Sequence, residues 1–207
     1  MADTLTLYTN PQSRGRVARW MLEEVGAPYK TVVLGYGTSM KDPSYLAINP
    51  MGKVPAIQHG DTVVTECAAV CAYLADAFPQ ANLAPAVSDK ARGPYYRWLF
   101  FTAGPFEAMI TDKSLGVTIP AEKAGFVGYG TGAEVLDVIE NALKGKDYLL
   151  GSRFSAADVY VGAQISFGLQ FGSLEKRPVF VDYAARLAAR PAAIRANELD
   201  NALIPQS

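Results

Sequence analysis

Four short stretches of this chain could hold a small charged ligand or act on a thiol. The first is Val54-Pro55, inside Asn49-Pro50-Met51-Gly52-Lys53-Val54-Pro55-Ala56-Ile57. A proline at the mouth of a strand cannot donate to the ladder, so it belongs at an edge, a strand start or a bend. X-Pro is also the one peptide bond for which trans is favoured by only about 0.5–1 kcal/mol. A cis bond here would turn the N–H and C=O of Val54 outward, towards a ligand; a trans bond would simply end the loop. The second is Ser13, where a first strand gives way to a first helix. Amides and dipole at a helix start favour an anion, and a serine hydroxyl there can donate to a thiolate, which raises the nucleophilic fraction at neutral pH. The same serine reads equally as an N-cap, and the two roles are compatible. The third is Glu66-Cys67, at the start of another helix. Helix amides suit a carboxylate and Glu66 suits an ammonium, so a ligand with an α-amino-acid head would satisfy both; alternatively Glu66 only complements the dipole. The fourth is the pair Lys41 and Lys53, in loops on the same side. They read either as partners for a carboxylate or as solvated surface lysines.

The elements that must position these residues follow from periodicity. Leu5-Thr6-Leu7-Tyr8 alternates as a strand, and Thr9 to Ser13 is a loop. Arg14 to Val25 is helical, with Val17, Trp20, Met21 and Val25 on one face and Gly26 and Pro28 as the stop. Tyr29 to Leu34 is a second strand, so the opening is a βαβ unit with parallel strands. A short helix is expected at Asp42 to Leu46. Strands Val54 to Gln58 and Thr62 to Thr65 should form an antiparallel hairpin around His59-Gly60-Asp61, with His59 a plain loop residue. Glu66 to Phe78 is helical, with Val70, Tyr73, Leu74 and Phe78 on one face. This β-α-β-(α)-β-β-α order is thioredoxin-like.

Residues 81–87 read as a linker, and no strand pattern persists after it. Ser88-Asp89 opens a long helix that Gly104-Pro105 should kink. Ala133 to Leu143 is another. Ser155 and Asp158 resemble a capping box, with Phe154 as a hydrophobic staple, before the apolar helix Ala156 to Phe171. Pro178 to Ala189 follows, and Pro191 opens a last helix. The reading is an α/β domain over 1–80 and an all-α domain over 88–207.

Composition bounds the possibilities. The chain has 207 residues, half of them hydrophobic, and a formal net charge of -1, which argues against nucleic-acid or anionic-membrane partners. Cys67 and Cys71 are four apart, with no further cysteine and one histidine, so no metal site is expected and both read as reduced thiols of a cytoplasmic protein. Met1-Ala2-Asp3-Thr4 does not open a signal peptide, and no apolar run is long enough to span a membrane.

Taken together, these motifs resemble the soluble glutathione S-transferase family over nearly the whole length. The resemblance rests on Tyr8 to Arg14, Lys41-Asp42-Pro43 through Leu46 to Asn49-Pro50, Gly52 to Ala56, Glu66-Cys67 through Tyr73-Leu74, and Phe154 to Asp158. It implies a thioredoxin-like domain, an all-helical domain and a cytoplasmic homodimer serving detoxification. It implies that Pro55 is cis and that Val54 pairs with the cysteinyl backbone of glutathione. Lys41 and Lys53 would bind the glycyl carboxylate, and Glu66 and Cys67 the γ-glutamyl end. A small apolar electrophile would lie against the second domain, against Phe106, Met109 and Ile110. Cys67 departs from the serine that many members carry, and a thiol is the weaker donor. The group that activates the thiol stays open: Ser13 first, with Tyr8 and Asn10 or a backbone site as alternatives. The absence of cysteine before the first helix argues against glutaredoxin-like thiol exchange. The implied activity is conjugation of glutathione. Glutathione-dependent peroxide or disulfide reduction, and a non-catalytic ligand- or partner-binding relative, are the rivals.

Overall fold

The computed structural model describes residues 4–204. Residues 1–3, on which the expectation about a signal peptide partly rests, lie outside them. The chain up to residue 83 and the stretch from 189 onward form one compact unit; residues 84–188 form the other.

The first unit is built on β1 (Leu5–Thr9), α1 (Gly15–Val25), β2 (Lys30–Val33), α2 (Pro43–Leu46), β3 (Ala56–His59), β4 (Thr62–Thr65) and α3 (Cys67–Ala77). The sheet order is β2-β1-β3-β4. β1 pairs parallel with β2 and antiparallel with β3, and β3 with β4 forms the expected hairpin. Because side chains alternate across a strand, the register splits the core into two faces. Leu7 and Ile57 are opposite one another and fully buried, in a core with Met21 and Leu22 of α1 and Leu74 of α3. Burial of each such side chain stabilises by about 1.5–3 kcal/mol. Tyr8 and Ala56, on the other face, pack with Leu34, Met40 and Tyr45. Gly26 ends α1 as anticipated, at φ 68°, donating to the Leu22 carbonyl.

Two findings here differ from the sequence expectations. His59 ends β3 rather than lying in the turn, and its ring stacks on Phe78 with Nδ1 3.0 Å from the Tyr73 hydroxyl. Tyr73 and Phe78, expected on one face with Val70 and Leu74, are half-buried partners of the histidine, while Val70 and Leu74 are fully buried. The last helix, α9 (Pro191–Asn201), belongs to the first unit and not to a contiguous 88–207 domain. It docks on α1 through polar side chains. Arg19 Nε donates to Asp200 at 2.7 Å inside the interface, Arg190 grips Glu24 at 2.6 and 2.7 Å, and Arg195 meets Glu23 at 2.9 Å.

The second unit is helical: α4 (Arg92–Phe101), α5 (Glu107–Ser114), α6 (Gly132–Leu143), α7 (Ala156–Gln170) and α8 (Pro178–Ala188). The kink expected at Gly104-Pro105 takes the form of a π-helical turn over Thr102–Phe106 between α4 and α5, since proline cannot supply its N–H to the helical ladder. α7 is buried on nearly every side, and Asp158 accepts from both the amide and the hydroxyl of Ser155, at 2.9 and 2.8 Å. Phe154, expected as a staple, meets the ring of Tyr148 at 5.4 Å. No helix among the described residues is long and apolar enough to cross a membrane.

Candidate functional site

The β1–α1 loop is organised by Asn10. Its side-chain amide donates to the Leu34 carbonyl at 2.8 Å, and its Oδ1 accepts from the Gln12 amide at 2.9 Å. Its carbonyl accepts twice from Ser13, from the amide at 3.1 Å and from the hydroxyl at 2.7 Å. Ser13 Oγ in turn accepts from the Gly15 amide at 2.9 Å, while the N-cap position of α1 falls to Arg14, one residue beyond the serine expected there. So the Ser13 proton rests on a carbonyl that keeps a second donor when the hydroxyl turns away. Releasing it to another acceptor orphans nothing, and an unpaired polar group is what makes such an exchange costly. Gly15 is required by space: a Cβ there would lie 2.0 Å from Thr9 Oγ1 and 3.0 Å from Ser13 Oγ. Tyr8, the alternative hydroxyl, donates to Gln58 on the neighbouring strand at 3.0 Å and packs on Tyr45. Asn10, the other alternative, has both ends of its amide committed, the nitrogen to Leu34 just after β2 and the oxygen to Gln12 in its own loop.

The loop before β3 is clamped from α2 and its flank. Tyr45 Oη and Asn49 Nδ2 both donate to the Lys53 carbonyl, at 2.6 and 2.9 Å. Burial pushes the Tyr45 hydroxyl above its ordinary pKa, so it remains a neutral donor. Gly52 has φ 56°, and a Cβ there would come within 2.6 Å of the Met40 carbonyl and 2.8 Å of Lys41 Nζ. Lys41 donates to the Met51 carbonyl at 3.0 Å, which sets both cations, Lys41 and the exposed Lys53, on one loop. The Val54-Pro55 bond is cis, as expected. Neither the amide nor the carbonyl of Val54 has a hydrogen-bond partner among the described residues. Tyr45, Asn49 and Gly52 escaped notice as site residues, although Asn49-Pro50 and Gly52 are turn formers visible in the sequence.

Glu66 immediately precedes α3 and is exposed at φ 66°, ψ 124°. A non-glycine residue there is strained by of order 1–3 kcal/mol, and such strain clusters at ligand clamps. Cys67 opens α3, buried, with Sγ 3.9 Å from the Arg14 carbonyl. That contact brings the starts of α1 and α3 together, so two helix termini with positive partial charge share one edge. Burial pushes the Cys71 thiol well up, which makes it inert. In the helical unit, Phe106 and Met109 are buried in its core and Ile110 is half-buried. Of the three expected to face an electrophile, Ile110 alone has appreciable side-chain surface to offer.

The family description "Glutathione S-transferase, N-terminal domain" matches residues 3–76, and "Glutathione S-transferase, C-terminal domain" matches residues 130–191. Glutathione S-transferase psoE of Aspergillus fumigatus is 30% identical over 172 residues, 80% of this chain and 70% of that protein. The chain belongs to the glutathione S-transferase family. GstA of Escherichia coli O157:H7 is 31% identical over 159 residues, covering 71% of this chain and 73% of that one. Among solved glutathione transferases, that of Methylococcus capsulatus superposes with a TM-score of 0.80 at 28% identity, over 97% of this chain and all of the other. A Sulfitobacter homologue with bound glutathione superposes at 0.76 with 26% identity, over 97% and 99%. These likenesses place the thioredoxin-like first half and the helical second half within the glutathione S-transferase architecture.

Proposed function

We propose that the chain binds reduced glutathione in its first unit and transfers its thiolate to a small hydrophobic electrophile. The observation that carries the reading is the open backbone pair of Val54. A peptide-like ligand can take one bond from its amide and give one to its carbonyl, as an added strand does. Around that point stand groups matched to the two ends of glutathione: Lys41 and Lys53 for the glycyl carboxylate, Glu66 for the α-ammonium, and the start of α3 at Cys67 for the γ-glutamyl carboxylate. Ser13 supplies the donor to the sulfur. In the reaction the thiolate sulfur forms a bond to the electrophilic carbon, and the leaving group departs with the bonding pair. Fixed ligand ends supply proximity, and Ser13 with the start of α1 stabilises the negative charge on sulfur. Family resemblance further supports a cytoplasmic homodimer, to be checked by light scattering, and a detoxifying role.

Calorimetric titration with reduced glutathione is the test. Binding should be present in the wild type and weaken in Glu66→Ala by about 1.5–3 kcal/mol, the range for hydrogen bonds to charged groups. Turnover is then compared for an aryl halide, a hydroperoxide and a mixed disulfide; turnover of the last two alone identifies a reductase. A wild type that does not bind glutathione overturns the reading in favour of a non-catalytic relative.

A further inference from the structure

Arg16 lies on the first turn of α1, half-buried, and joins two separate parts of the chain, the β1–α1 loop and α9. Its Nε donates to the Pro11 carbonyl at 2.5 Å, Nη1 to Asn197 Oδ1 at 3.3 Å and Nη2 to Asn201 Oδ1 at 2.7 Å. The guanidinium is planar and rigid, so fixing two of its nitrogens fixes where the third points. Pro11 has no amide hydrogen, and its carbonyl is therefore its only backbone handle. The two adjacent carbonyls of the β1–α1 loop are thus held from different sides, Asn10 by Ser13 and Pro11 by Arg16.

We infer that Arg16 is a positioning residue through which the terminal helix α9 sets the loop geometry, and with it the readiness of Ser13 to stabilise a thiolate. The inference rests on the proposed glutathione chemistry and extends it to a helix that carries none of the proposed ligand-binding residues. The reasoning is mechanical. When Ser13 turns from the Asn10 carbonyl to a sulfur, the loop loses one of its internal bonds. The Pro11 carbonyl, gripped by Arg16, keeps the loop in place during that exchange. Arg16 can grip only because Asn197 and Asn201 aim its fork. α9 remains docked without those two asparagines, because Arg19–Asp200 and Arg190–Glu24 bind it independently. Asn197 and Asn201 are exposed, so alanine there should be tolerated.

The experiment compares the wild type, the double variant Asn197→Ala/Asn201→Ala, and Arg190→Gln, which removes an α9 contact far along α1 from the loop. Glutathione affinity is measured by calorimetry, the bound thiol by ultraviolet titration, and kcat with an aryl halide across pH. The double variant should keep its glutathione Kd and KM within about twofold. Its bound thiol should titrate at higher pH, and kcat should fall about three- to tenfold, as loss of alignment without loss of binding predicts. Arg190→Gln should leave the thiol titration unchanged. An unchanged thiol titration in the double variant, with glutathione still bound, overturns the coupling and leaves the proposed function standing. An equal shift in Arg190→Gln also overturns it, since general loosening of α9 would then suffice. If the double variant fails to fold, Arg16→Lys decides: a lysine can reach one carbonyl but cannot fork, so wild-type thiol titration in it overturns the inference. Failure of the wild type to bind glutathione overturns the functional reading and this inference with it.

Discussion

Two serines open helices in this molecule, and their surroundings are opposite. Ser155, before α7, is wholly buried, and its amide and hydroxyl both donate to Asp158. That carboxylate also takes the Leu149 amide and the Tyr183 hydroxyl, each at 2.8 Å. The four donors use all the accepting capacity a carboxylate has, and nothing is left over for a ligand. Ser13, before α1, is half-buried, and among the described residues no carboxylate bonds to it. Its proton sits on a backbone carbonyl that already has another donor. A closed buried network specifies structure, whereas a hydroxyl whose hydrogen bond can be exchanged without orphaning a partner is free to take part in chemistry. Serine at a helix start is common to both, and the bonding around it separates them.

The sharpest way to break this comparison is Asp158→Ala. It leaves the Leu149 and Ser155 amides and the Tyr183 hydroxyl buried without an acceptor, so the loss should be about 3–5 kcal/mol by urea denaturation. A loss below about 1 kcal/mol would mean the network is not closed. Ser13→Ala should act on the other axis. Stability should drop by about 1 kcal/mol, the usual net value of an intramolecular hydrogen bond, while turnover falls roughly 10²-fold, the scale for one preorganised donor. Glutathione affinity should hardly change. If Tyr8→Phe produces that loss and Ser13→Ala does not, the activating hydroxyl is Tyr8, and the contrast between the serines is structural only. Gly15→Ala comes next. Its Cβ would collide with Thr9 Oγ1, so about 1–3 kcal/mol of overpacking is expected, together with a bound thiol that titrates at higher pH because Ser13 has moved. Melting curves and ultraviolet titration read the two effects separately.

Much of this contrast was legible in the residue order. Strand and helix periods placed β1, α1, the hairpin and α3 within a residue or two, and Ser155 with Asp158 announced its own box. The cis bond at Val54-Pro55 was legible, and so were the places of Ser13 and Glu66-Cys67 at the starts of α1 and α3. What escaped was long-range polar pairing. Only the apolar face of α1, with Val17, Trp20, Met21 and Val25, was read from the sequence, and Arg16, Arg19, Glu23 and Glu24 gave no signal of a partner. Here those side chains are met by α9 and the residue before it, through the amide of Asn201 and the charges of Asp200 and Arg190, 166 to 185 residues away in the chain. Periodicity reports which face is apolar, and it has no term for a face that is buried by ion pairs. His59 escaped for a related reason: a turn-like neighbourhood hid the stacking supplied by Phe78.

The smallest effect concerns pH, and it too separates the two serines. Burial pushes the Asp158 carboxyl above its ordinary pKa, outweighing the downward pull of its Leu149, Tyr183 and Ser155 donors. The folded state therefore holds its proton to higher pH than the unfolded chain does. The stability this group contributes is complete below the ordinary carboxylate value and is lost as pH rises through the raised one. Asp158→Asn cannot titrate and lacks this slope. The stability gap between wild type and Asp158→Asn should thus narrow from acid towards neutral pH, read from melting temperatures across that window. Ser13→Ala, which removes no bond to a carboxylate, should keep a constant gap to the wild type over the same range in the absence of ligand. A gap that instead widens for Asp158→Asn as pH rises would show that the four donors outweigh burial, so that the α7 cap is held together by the charge of its carboxylate and loses strength in acid.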